Sequence, residues 1–126
     1  MWVNYNPNPI AARVIDCSIR ALCKVTGKDW QDVYLEVAML GFQMCDMPSS
    51  NNVWGRYLQK NGFVRRLVPD RCPECYTVAT LAADLPEGRY VLALSGHVVA
   101  VVSGCYYDTW DSGDETPIYY WEKRSI

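Results

Sequence analysis

Three residues of this 126-residue chain, Cys17, His97 and Asp108, are of the types that make a nucleophile, a base and the group that orients the base. His97 is the single histidine, so any imidazole acting as a base near neutral pH must be this one. Taking Ser103-Gly104 as a two-residue hairpin turn pairs position 102 with 105, 99 with 108 and 97 with 110. Side chains alternate between the faces of a strand, which makes His97 and Asp108 diagonal neighbours on one face, within hydrogen-bonding reach. A one-residue slip would send Asp108 to the other face, so the expectation depends on the turn. Cys17 follows Asp16, a good helix N-cap, and so lies in a first turn. There the macrodipole and free backbone N–H groups favour thiolate and can supply part of an oxyanion hole. Taken singly, Cys17 also reads as a small buried hydrophobe and His97 as a core histidine; their combination is what points to chemistry.

The elements that must hold these residues show as a change of period along the chain. Helices are expected from Asp16 to about Val25 with Gly27 past the end, from Asp29 through the stripe Val33, Tyr34, Val37, Ala38 and Leu40, and from Ser50 or Asn51 to Asn61-Gly62. Phe63 to Val68 reads as a short strand, Pro69 to Tyr76 as a loop, and Thr77 as the cap of one more helix ended by Pro86-Glu87-Gly88. Beyond Arg89, β-branched and aromatic residues give strands at Tyr90–Leu94, His97–Val102, Cys105–Trp110 and Ile118–Trp121. N-terminal helices packed on a C-terminal antiparallel sheet make a single α+β domain, residues 1–126.

Composition narrows the class. Half the residues are hydrophobic and 21% charged, the mix of a globular chain with room for one core. With a net charge of −2 and no basic run longer than Arg65-Arg66, a nucleic-acid partner is not expected. The longest apolar stretch, Tyr90 to Tyr107, is broken by Ser95-Gly96-His97 and Ser103-Gly104, so no membrane span is expected either. Met1 to Ile10 has no apolar core of a signal peptide, and several of the six cysteines fall on apolar faces. The expectation is reduced thiols and a cytoplasmic location.

Three segments carry a family resemblance: Asp16-Cys17 opening a helix, then Gly96-His97-Val98, then Tyr107-Asp108-Thr109-Trp110. In the chain order Cys, His, Asp they resemble the papain-like cysteine peptidases; Asp-Cys is similar to that step of bacteriocin-leader peptidases, and Asp108-Thr109-Trp110 to the Asn-Ser-Trp of papain-like enzymes. The chain more closely resembles small, mostly uncharacterised papain-fold proteins of bacteria and phages. These carry Asp-Cys-x-x-Arg-Ala (here Asp16 to Ala21), Cys-Pro-x-Cys (Cys72 to Cys75) and Tyr-Asp-Thr-Trp-Asp-Ser-Gly (Tyr107 to Gly113). The resemblance spans nearly everything from Arg13 on and implies a papain-like fold and a Cys17–His97–Asp108 triad, without bringing a known substrate; a peptide or protein substrate and no cofactor are expected of such a site. One departure stands out. Papain-like enzymes place a Gln about six residues before the nucleophile to complete the oxyanion hole, and that position here is Ala11. Asn8, another Asn or backbone alone would have to serve, with Trp110 as a further candidate contact for substrate.

Other features keep their alternatives. Cys72-Pro73-Glu74-Cys75 suits a redox dithiol, half a zinc site completed by Cys45, Cys105 or Cys23, or a structural turn. The C-terminal aromatics (Tyr106, Tyr107, Trp110, Tyr119, Tyr120, Trp121) suit sheet packing. Asp111, Asp114 and Glu115 suit a solvated turn or an acidic rim that selects a basic substrate. Two functions from different classes follow: a thiol hydrolase acting on a peptide, isopeptide or other amide through an acyl-enzyme, and a non-catalytic protein-binding module, phage or mobile-element encoded, on a decayed fold of the same kind.

Overall fold

The computed structural model describes residues 1–69 and 75–124. Along them run β1 (Trp2–Asn4), α1 (Cys17–Thr26), α2 (Trp30–Met44), α3 (Asn51–Lys60), β2 (Phe63–Leu67), α4 (Val78–Asp84), β3 (Arg89–Leu94), β4 (His97–Val102), β5 (Cys105–Asp108) and β6 (Pro117–Lys123). The strands form one sheet in the order β1-β5-β4-β3-β6-β2. The architecture is α+β, and each helix and strand expected from the sequence is present within a few residues.

Strand alternation sorts the core into two layers. Val91, Ala93, Val98 and Ala100 face α1–α3 and pack with Leu22, Val33, Val37, Trp54 and Leu58. Leu92, Leu94, Val99 and Val101 face the opposite way and pack with Val78, Leu81 and Ala82 of α4. Leu22, Leu58 and Leu92 are wholly buried, each such side chain contributing about 1.5–3 kcal/mol. The helices therefore cover both faces of the sheet, not one. The alternation of β3 and β4 leaves apolar residues on each side, and the capping box between Thr77 and Thr80 starts α4 over the second.

Two further differences concern the strands. β1, which the polar N-terminal stretch does not announce, pairs with β5 in parallel, Trp2 opposite Tyr106, so the sheet is mixed. β5 stops at Asp108 and does not reach Trp110, because the Asp108 carboxylate takes the N–H of Thr109 that a longer ladder would need. The β4–β5 register does follow the two-residue turn, with Val102 opposite Cys105 and Ala100 opposite Tyr107. Ser103 and Gly104 both have positive φ, 52° and 79°, the geometry of a type I′ turn whose twist matches the flanking strands. Gly27, with φ 74°, caps α1 by donating its N–H to the Cys23 carbonyl. Among the described residues no helix is long and apolar enough to cross a membrane.

Candidate active site

Helix α1 begins at Cys17 and packs on β4, which begins at His97. The first turn of the helix thus meets the end of the hairpin. His97 Nε2 lies 2.6 Å from Asp108 Oδ2, and the same imidazole neighbours the Cys17 thiol closely enough for hydrogen bonding and charge to perturb both groups. With Nε2 committed to the carboxylate, Nδ1 is the nitrogen left for sulfur. All three residues expected at the site are thereby brought together.

Electrostatics at the site favour an ion pair. Burial of Cys17 disfavours thiolate, but the His97 hydrogen bond and charge, the Val98 N–H and the Arg20 charge outweigh it and lower the thiol below its ordinary value. Burial likewise works against imidazolium, yet the hydrogen bonds to Asp108 and Cys17 raise His97 from 6.5 to about 9. Desolvation would raise the Asp108 carboxyl; hydrogen bonds from His97, Ser112 and the Thr109 backbone hold it low instead. Cys23, six residues further along α1, goes the other way: burial, then Asp16 and Asp29, push it up to about 12.

Two residues that were quoted only as parts of motifs prove central. Arg20, 7% exposed, donates through Nη2 to Asp108 Oδ1 at 3.0 Å and through Nη1 to Asp16 Oδ1. Ser112, fully buried, donates its hydroxyl to Asp108 Oδ2 at 2.8 Å. Asp108 is 1% exposed and its oxygens are fully engaged by His97, Arg20, Ser112 and the Thr109 N–H. Asp16 occupies the N-cap position but makes no side-chain cap. Its carboxylate goes to Arg20 and, at 2.9 Å, to Trp30 Nε1. An Asp–Arg pair at i,i+4 is visible in the sequence; the Arg20–Asp108 bond, closing 88 positions, is not.

The remaining candidates distribute as follows. Trp110, 44% exposed, tilts over His97 with ring centroids 5.2 Å apart and forms a wall of the site. Asn8 organises its own loop: Oδ1 accepts from the N–H groups of Ile10 and Ala12, and its carbonyl accepts from Ala11. Ala11 has φ 56°, a left-handed conformation that costs a non-glycine residue about 1 kcal/mol or more. Asp111 is spent on the Tyr106 hydroxyl and the Gly113 N–H, which anchors the acidic loop from within and leaves Asp114 and Glu115 exposed. Cys75 is an exposed free thiol, while Cys72, Pro73 and Glu74 lie outside the described residues. Among the described residues no cluster of three or more His, Cys, Asp and Glu side chains is placed to hold a metal ion. In comparison with known proteins, the chain matches no family model, and neither the curated proteins nor the solved structures yield a match.

Proposed function

We propose that the chain is a papain-like thiol hydrolase acting on a peptide, isopeptide or other amide. The observation that carries this reading is the single imidazole, hydrogen-bonded to a buried carboxylate and electrostatically coupled to a thiol at a helix N-terminus. The Cys17 thiolate attacks the substrate carbonyl carbon, forming a C–S bond as the π electrons move to oxygen. The Cys17 backbone N–H, free of a helical partner in the first turn, is a donor for that oxyanion. His97 gives its proton to the departing amine as the C–N bond breaks, leaving a thioester. Water then attacks the thioester, His97 takes its proton, and Cys17 is released. Asp108 keeps Nε2 protonated and the ring aimed at sulfur, a role that needs no proton transfer of its own. The free thiols of Cys17, Cys23, Cys45, Cys75 and Cys105 suit a reducing, cytoplasmic setting.

One observation favours the second reading, a protein-binding module. Ala11 stands where papain-like enzymes supply an oxyanion donor, and one missing donor costs roughly 10²–10³ in rate. Labelling with iodoacetamide at pH 6, mapped by mass spectrometry, separates the two. Cys45 and Cys75 are exposed, so preference for Cys17 over them has to come from ionisation, not access. Cys17 should label ahead of both, and His97→Ala should abolish the lead. Equal, slow labelling of all three in the unmutated protein would leave the binding module.

A further inference from the structure

The thiol belongs to helix α1, whereas the imidazole and its carboxylate belong to the β4–β5 hairpin. Arg20 is bonded to both bodies. It stands three residues after Cys17, on the same side of the helix, with Nη1 on Asp16 Oδ1 and Nη2 on Asp108 Oδ1 at 3.0 Å. All three of these charged side chains are buried. The two oxygens of Asp108 are divided between partners: Oδ1 takes Arg20 and the Thr109 N–H, and Oδ2 takes His97 and the Ser112 hydroxyl. A grip on Oδ1 from the helix fixes the plane of the carboxylate, and with it the direction in which Oδ2 meets Nε2. The guanidinium is itself held from behind, because Asp16 takes its other arm and Trp30 Nε1 donates to Asp16 at 2.9 Å.

We infer that Arg20 is a positioning residue for the Cys17 nucleophile: through Asp108 it clamps the helix that carries the thiol to the hairpin that carries the imidazole. The inference rests on the thiol-hydrolase reading and adds to it the group that sets the spacing and charge of the site. The Ser103-Gly104 turn sets the register of His97 on Asp108, and Arg20 sets where that pair stands against the sulfur. Its charge acts in the same direction: burial disfavours the Cys17 thiolate, while His97 and, more weakly, Arg20 favour it. The other charged groups on elements packed against α1 are engaged elsewhere. Asp29 at the start of α2 acts on Cys23, Arg89 of β3 bonds the Val25 carbonyl, and Arg13 reaches the Thr109 carbonyl. Lys24, on α1 itself, stands over the Tyr107 ring of β5.

The test is the pH profile of Cys17 alkylation by iodoacetamide from about pH 5 to 10, at a temperature where circular dichroism shows each variant folded. Arg20→Met should lower the rate at pH 6 by at least about tenfold, a shift of about one unit in the midpoint at which thiolate forms. At pH 10, where an ordinary thiol is ionised too, the rates should agree within about twofold. A side chain with a merely structural role would lower the melting temperature and leave the midpoint in place. Because Arg20 acts through Asp108, the tenfold loss should shrink to about threefold or less in the Asp108→Asn background. Should Arg20→Met not fold, Arg20→Lys keeps the cation without the planar fork that reaches both carboxylates, and should still lower the pH 6 rate by about threefold or more. An unmoved midpoint in the folded variant, or a loss undiminished by Asp108→Asn, overturns the positioning role and leaves the nucleophile standing. Unselective labelling of the unmutated protein at pH 6 overturns the nucleophile instead, and the role of Arg20 with it.

Discussion

Replacing Arg20 by Met removes a buried cation and keeps most of its volume. Among the described residues Arg20 is the sole guanidinium bridging two buried carboxylates, Asp16 at 6% and Asp108 at 1% exposure. Without it, Asp108 keeps His97, Ser112 and the Thr109 N–H, whereas Asp16 keeps only Trp30. Breaking a buried pair from one side typically costs about 3–5 kcal/mol, since a charge is left uncompensated. For a chain of this size, at about 3–5 °C per kcal/mol, the melting temperature should fall by about 10–25 °C. That loss is a large share of the roughly 5–15 kcal/mol that holds a domain together. Most of the damage falls on Asp16, so adding Asp16→Asn should return at least about 1 kcal/mol. Urea titration of the two single variants and the double variant closes the cycle. A loss below about 1 kcal/mol for Arg20→Met, or a double variant no better than the sum of the singles, would refute the account of Arg20 as the shared counter-ion.

Three more outcomes are expected. Between about pH 6.5 and 9 the unfolded chain holds its proton on the thiol and the folded chain on His97, raised to about 9. Each state then binds one proton, and unfolding free energy should be nearly flat with pH wherever Cys17 is ionised. Cys17→Ser removes the compensation and Cys17's own share of the rise: His97, still raised by Asp108, stabilises fully below about 6.5, and that contribution is lost as pH rises through its lower folded value, at up to about 1.4 kcal/mol per pH unit. Identical slopes in the two proteins by urea titration would dismiss the ion pair. Asp108→Asn should slow Cys17 alkylation less than His97→Ala does, since the orienter moves no proton; the reverse order would reassign the roles. Gly104→Val forces a β-branched residue into a φ of 79° and places its Cβ 3.4 Å from the Pro86 Cα. A loss of about 1–3 kcal/mol in thermal unfolding and slower Cys17 alkylation should follow together, because the turn sets the His97–Asp108 register.

How much of this was legible in the sequence follows from how local each signal is. The Ser103-Gly104 turn needs only its own two residues to fix the hairpin, and that register alone predicts His97 beside Asp108. The helix ends at Gly27 and Asn61-Gly62 are equally local. Asp16 stands at the N-cap as its type suggests, but its carboxylate is drawn to a cation one turn on and an indole 14 residues away, which no local signal shows. Ser112 looks like any turn serine until the fold wraps it under Asp108. β1 is three residues long and owes its existence to the β5 edge, which no periodicity in Met1–Ile10 encodes. The placement of α4 on the second face depends on β3 and β4 being apolar on both sides, a run that fits more than one layering.

The topology also sets an order in time. Cys17 lies near the start of the chain, yet the groups that activate it stand at 97 and 108, and β5 is completed by β1 across more than a hundred residues, Trp2 opposite Tyr106. Tyr5 N–H and Trp2 Nε1 both donate to the Asp108 carbonyl, the second at 3.1 Å. Contacts of such long separation close slowly, after loop entropy has been overcome. During synthesis the helix bearing the thiol emerges well before its imidazole exists, and it carries an ordinary cysteine until the last strands return to the first. On the proposed reading, activation of the thiol is deferred by chain connectivity itself, and a product truncated before His97 would hold an ordinary cysteine.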